Sequence, residues 1–313
     1  MRKNVLVKAT MLFASVAVFI SCKDEQTIEI DRSEVKFSSN INMTSVRTRA
    51  SDITWDPNDA IGVYMYEENT QNIVEGKENI RYVTEAGGEK GSFQAANTVI
   101  YFPDNGNKVR FMAYYPHRED LLGNNDVYAV DVASQSSQQV IDLLYSFDSS
   151  AKFDKTTPGK KVALSFDHQL TKVYVNVMAG EGLVDSDLQD IIVSFDGLNT
   201  KAYFNLTDGT LGNSGVPAEI ALRPTFAKNG YVTSFEAIVL PTETIPAASI
   251  VFDLNDGDSE NNVESDVFIW KFDNVLNKST RYTYNVTINR SGIVVEATIN
   301  DWIASDDANV NAE

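Results

Sequence analysis

Few side chains in this 313-residue chain combine a reactive type with a telling position, and the first is its single cysteine. Cys22 closes the run Phe19-Ile20-Ser21-Cys22, which resembles a bacterial lipobox, where the cysteine is diacylated, freed by cleavage and acylated again on its new amine. An exported protein with one thiol has no disulfide partner within its chain, and none is needed if that sulfur carries lipid. Each buried acyl methylene contributes about 0.8 kcal/mol, so several chains on one residue hold a protein stably at a membrane. The second feature is a pair of arginines in Val46-Arg47-Thr48-Arg49-Ala50-Ser51. Small polar loop residues are where proteases cut, and a trypsin-like enzyme would cleave after Arg47 or Arg49. Both arginines are also consistent with plain solvated loop charges.

Other candidates reduce to structure. His117 follows an apolar run and reads as a loop residue, and His168 lies in a strand pattern as a structural hydrogen-bonder. Asp253-Leu254-Asn255-Asp256-Gly257-Asp258 resembles a calcium loop in composition, but the twelve-residue spacing is wrong, with Gly257 where a ligand should be, so it reads as a hairpin turn. Gly87-Gly88 is flanked by Glu85 and Glu89, which would repel phosphate. No serine elbow, phosphate loop or dinucleotide fingerprint occurs. We therefore expect no catalytic residue, no metal site and no cofactor. With 44 acidic against 26 basic side chains and a net charge of −18, nucleic acid is a poor partner. Apolar residues at 43% are enough for a core.

Residues 1–21 read as a secretory signal, with Arg2, Lys3 and Lys8 ahead of the apolar run Ala9 to Ile20, too short to span a bilayer as a helix. Lys23-Asp24-Glu25 resembles an acidic tag that directs lipoproteins to the outer face of the outer membrane. Residues 22–33 read as a tether. Beyond it, short clusters rich in Val, Ile, Tyr and Phe are bounded by Gly, Asn, Asp or Pro, the pattern of antiparallel strands and turns. Val109 to Tyr115, Val173 to Met178, Ile191 to Phe195 and Phe235 to Leu240 are among them. The fold expected is all-β, with two sandwich domains over 34–180 and 181–313.

Two segments stand out for what they could do mechanically. Val35, Phe37, Ile41 and Met43 fall on one side of a period-2 pattern that Ser39 interrupts, predicting a half-buried strand just ahead of the arginines. Cutting there would remove a strand and leave a groove with unpaired edges, a template for a strand from another molecule. At the other end, Tyr282, Tyr284, Val286 and Ile288 alternate with polar residues, Asn289-Arg290-Ser291-Gly292 turns, and Ile293, Val295, Ala297 and Ile299 return, with Trp302 near the end. The returning strand has the alternation a donor needs.

These pieces together resemble the fimbrillin family, the subunits of type V pili. Trp55-Asp56-Pro57-Asn58-Asp59-Ala60-Ile61-Gly62-Val63-Tyr64, Phe111 to Pro116, Phe166 to Val173, Val239-Leu240-Pro241 and the closing Tyr282 to Trp302 segment occur in family order. The resemblance implies two tandem transthyretin-like antiparallel β-sandwich domains on a surface-exposed outer-membrane lipoprotein. It further implies removal of the N-terminal strand by an arginine-specific protease after Arg49, or Arg47, and assembly with other pilus subunits by strand exchange. The donor would be the strand near Ile293 to Trp302, and the assembled pilus would act in adhesion to a host or bacterial target. A surface lipoprotein that binds glycans without polymerising remains the other reading, since the chain has 13 Tyr, 16 Phe and three Trp, though Trp55, Trp270 and Trp302 sit in or beside strand patterns where burial is the simpler role.

Overall fold

The computed structural model describes residues 32–41, 54–121, 126–213, 215–255 and 265–301. Cys22, Met43, Arg47, Arg49 and Trp302 lie outside them. The described residues fall within one unit, Arg32–Glu313, and are built from strands with a few short 3-10 turns. The N-terminal strands are β1 Lys36–Ile41, β2 Ala60–Glu67, β3 Ile80–Thr84, β4 Lys90–Ala95 and β5 Val109–Tyr115. They continue with β6 Val127–Asp131, β7 Leu144–Phe147, β8 Lys161–His168 and β9 Thr171–Ala179. Then come β10 Ile192–Asn199, β11 Lys201–Asn205, β12 Thr210–Asn213, β13 Pro217–Ala221 and β14 Arg223–Thr225. The last are β15 Thr233–Val239, β16 Ser249–Asp253, β17 Val267–Lys271, β18 Thr280–Asn289 and β19 Gly292–Asp301.

Seven strands close into a barrel in the order β1-β4-β3-β2-β5-β7-β8. Its interior holds Val35, Phe37, Trp55, Phe93, Phe111 and Phe166 among others. A second, larger cluster joins the outer face of this barrel to a three-stranded sheet, β12-β11-β6, and to sheets ordered β13-β10-β16-β17 and β14-β15-β9-β18-β19. The pattern of β5 follows from this arrangement. All seven residues from Val109 to Tyr115 are buried, because Phe111 and Ala113 face the barrel core while Met112 and Tyr114 face the other. Strands covered on both faces read as near-continuous apolar runs, which only Arg110 interrupts in β5. By contrast β8 alternates strictly between exposed and buried, so one of its faces is wet.

The all-β expectation is met, but its purely antiparallel form needs correction. β1 pairs with β8 in parallel, and β9 pairs with β18 in parallel. Period-2 alternation reports which face is buried and says nothing about strand direction, so direction was not legible. The C-terminal hairpin forms in the expected register, with Ile288 opposite Ile293 and Asn289 opposite Gly292. Gly292 has φ 149°, a left-handed backbone that suits glycine. β16 and β17 do pair, Asp253 opposite Val267, but this register is not centred on Asp256-Gly257, so the connection is a longer loop and not the tight turn expected; Asp256-Gly257 itself lies outside the described residues. Pairing partners change between His168 and Thr171: β8 belongs to the barrel, whereas β9 pairs with β15 and β18.

Candidate assembly site

The geometry around β1 is that of a strand seated between two others. On one edge it meets β4 antiparallel, Phe37 opposite Phe93 and Asn40 opposite Lys90. On the other it meets β8 parallel, from Lys36 opposite Lys161 to Ile41 opposite Phe166. Its start is pinned as well: the Val35 amide donates to the Ile100 carbonyl at 2.9 Å, and the Phe102 amide donates to the Ser33 carbonyl at 2.9 Å. Without β1 the barrel would be open between β4 and β8.

Side chains set the depth. Val35 and Phe37 are 1% exposed and Ile41 5%. The Phe37 ring meets Tyr82 and Phe111 edge-on, centroids 4.9 and 5.1 Å away, both at 81°. Edge-to-face rings are favoured by the quadrupole and contribute roughly 0.5–1.5 kcal/mol beyond area. Burying each of the three side chains contributes about 1.5–3 kcal/mol. Beneath them Trp55 packs edge-on against Phe93, Tyr115 and Phe166 at 5.1, 5.5 and 5.3 Å. The Tyr82 hydroxyl accepts from the Ile100 amide at 2.9 Å, and burial pushes its pKa up to about 12.

Ser39 is the exception to the apolar face. It is 4% exposed and its Oγ has no hydrogen-bond partner among the described residues. Such an unsatisfied group costs about 1–3 kcal/mol. Its seat is narrow for a reason visible in β4. A Cβ on Gly91 would stand 2.7 Å from Ser39 Oγ and 2.6 Å from the Phe93 ring. Only a small residue fits on β1 at this level, and only glycine fits opposite.

The expected donor residues lie on β19, an edge strand that pairs with β18 along ten positions, Thr280 opposite Asp301 through Asn289 opposite Gly292. Ile293 and Val295 are half-buried against the larger core, whereas Ala297 and Ile299 are exposed. The strand therefore leaves the core in its second half, although sequence alternation predicts one buried face throughout. Sequence reading also missed Gly91, Phe93, Tyr82 and Phe166 as the walls of the β1 slot. The signal for Gly91 was a glycine inside a strand pattern, which marks close backbone approach.

No group of three or more His, Cys, Asp or Glu with metal-binding geometry occurs among the described residues. His168 is buried and holds Asp142 at 2.9 Å through Nδ1, in keeping with a structural role.

Comparison with known proteins gives concordant results. A family model described as fimbrillin-like matches residues 48–302. A curated relative from Bacteroides uniformis, a candidate fimbrium subunit Fim1C, is 34% identical over 266 residues, covering 82% of each chain. The crystal structure of a candidate cell adhesion protein from Bacteroides uniformis superposes with a TM-score of 0.71 at 31% identity, covering 87% of this chain and 98% of that one. A candidate cell adhesion protein from Bacteroides ovatus shares the fold, with a TM-score of 0.64 at 21% identity and coverage of 88% and 99%.

Proposed function

Because the chain belongs to the fimbrillin-like family, we propose that it is a structural or accessory subunit of a cell-surface pilus acting in adhesion. In this reading it is exported as a lipoprotein on Cys22, held at the outer membrane, and activated for assembly when an arginine-specific protease cuts after Arg49, or Arg47. Release of the segment carrying Val35, Phe37, Ile41 and Met43 leaves the barrel open between β4 and β8, and a strand from another subunit fills it. In the same reading the chain carries two tandem transthyretin-like sandwich domains, 34–180 and 181–313, with β6 and β9 of the first pairing with strands of the second.

The observation that supports this most is the seating of β1, buried on its apolar face and paired on both edges. A second observation concerns fit. At every other position β1 reads Val35, Phe37, Ser39, Ile41, and β19 reads Ile293, Val295, Ala297, Ile299. Both sequences run large, large, small, large; in β1 the small residue, Ser39, stands at the narrow level at Gly91, and in this reading Ala297 of the donor would take the same place. As donor, β19 has to exchange its ladder with β18 for the ladders of the slot.

The test is direct. Purified chain treated with an arginine-specific protease should begin at Ala50 and shift in gel filtration from monomer to higher assemblies. A chain cut at Arg49 that stays monomeric would count against strand exchange. Metabolic labelling with palmitate, lost in Cys22→Ser, checks the lipid anchor.

A further inference from the structure

A cavity of about 410 Å³ lies where the rim of the barrel meets the five-stranded sheet. Pockets of this size hold small ligands. We propose that it is a binding site for an uncharged saccharide end. Assembly by β1 does not require this site, although Ile41 of that strand is part of the cavity lining in the uncut chain.

The wall chemistry supplies the class of ligand. From the barrel side come Asp56, Asp59 and Asp142, and from the sheet Glu236, Lys172 and Arg223. Every one of these acids is already engaged. Asp59 accepts from the Asp56 amide at 2.7 Å and from the Tyr115 hydroxyl at 3.1 Å. The Gln139 amide donates to Asp56, and His168 holds Asp142 at 2.9 Å. Glu236 is clamped by Lys172 at 3.2 Å and by Arg223. An anion entering here would confront four carboxylates and two cations already paired with Glu236, and a cation would have to displace donors that Asp56, Asp59 and Asp142 already hold. What remains is hydrogen-bonding capacity, since an ionised carboxylate can accept about four bonds. Ser136, Ser137 and Gln138 add hydroxyls and an amide to the same wall. The buried Trp55, also part of the lining, has an indole N–H with no acceptor among the described residues. Hydroxyl groups that both donate and accept suit such a surface better than any single charge.

The lip supplies the second requirement of a sugar, a flat apolar face for its C–H groups. Phe226, next to the end of β14, lines the cavity and is 99% exposed. An aromatic ring left wholly in water forgoes the stabilisation that burial would contribute. A pyranose ring laid on the phenyl recovers part of it. The neighbouring Tyr174 is less available, its ring faced by Lys172 at 5.1 Å and Arg281 at 5.5 Å.

The test uses the full, uncleaved chain on an array of polyvalent neutral, sialylated and sulfated oligosaccharides, with tetra-arginine peptide as a separate probe. Retention of neutral glycans is expected, with affinity for the best of them then read by calorimetry. Phe226→Ala should weaken it at least tenfold with the unfolding temperature unchanged, and Gln139→Ala should weaken it too. The proposal is overturned if no neutral glycan binds, if only acidic glycans or the arginine peptide bind, or if Phe226→Ala binds as the parent does. None of these outcomes bears on whether protease-treated chain polymerises.

Discussion

Ser39 is the weak point in an otherwise apolar strand, and its weakness can be measured. Replacing it by alanine removes a buried hydroxyl without a partner and adds nothing that Gly91 must accommodate. Ser39→Ala should therefore stabilise the uncut chain by about 1 kcal/mol in denaturant unfolding; a loss of stability would mean that the hydroxyl is satisfied. Asp59 makes a pH prediction. Burial raises its pKa above the ordinary 3.8, outweighing the lowering effect of its bonds from Asp56 and Tyr115. The fold thus prefers the protonated form, and this contribution is complete below the unfolded pKa and lost as pH rises through the folded one. Asp59→Asn should reduce the loss of unfolding temperature as pH rises above the ordinary carboxyl range, relative to the parent; an unchanged profile would refute the assignment. At this scale the sequence was partly legible. Val35, Phe37, Ile41 and Trp55 announced their burial by alternation and size. The Lys172–Glu236 pair did not, because charged residues in a strand pattern read as its wet face, and nothing local reveals a partner on another strand.

Strands were more legible than their neighbours. Val109 to Tyr115 is a strand to the residue, and the final hairpin has the register its turn dictates. Pairing across the barrel was hidden, since it depends on contacts between segments far apart in the chain. One such pairing has a measurable effect. β8 meets β1 at six positions but meets β7 only at His168 and Asp167, with the Ser165 amide capped instead by the Ser146 hydroxyl at 3.0 Å. Loss of β1 should then expose those amides of Lys161–Phe166 that face β1, Ser165 excepted, to hydrogen exchange while β2 and β5 stay protected, and a filled slot should restore them. Protection of β8 unchanged by the cut would show that it does not rely on β1. The donor strand offers a complementary test. Ala297 is exposed on β19, so Ala297→Phe should alter monomer stability by no more than about 0.5 kcal/mol. In the slot that ring would meet Gly91 and Phe93, and assembly of protease-treated chain should fail. Normal assembly of Ala297→Phe would place another residue at the narrow level.

For the molecule as a whole, two hydrophobic clusters share the strands β2 and β5, so the barrel and the sheets beyond it are stabilised by common elements. The seat of β1 lies in the barrel and the exposed tail of β19 belongs to the five-stranded sheet. The mixed neighbours of β1 carry a further implication. A ladder that is parallel on one side and antiparallel on the other is matched by a newcomer lying in a single orientation. Turned end for end, it would misplace every amide against both banks. Copies joined through this seat would all point the same way, so a fibre of them would be vectorial, with a leading tip chemically unlike its base.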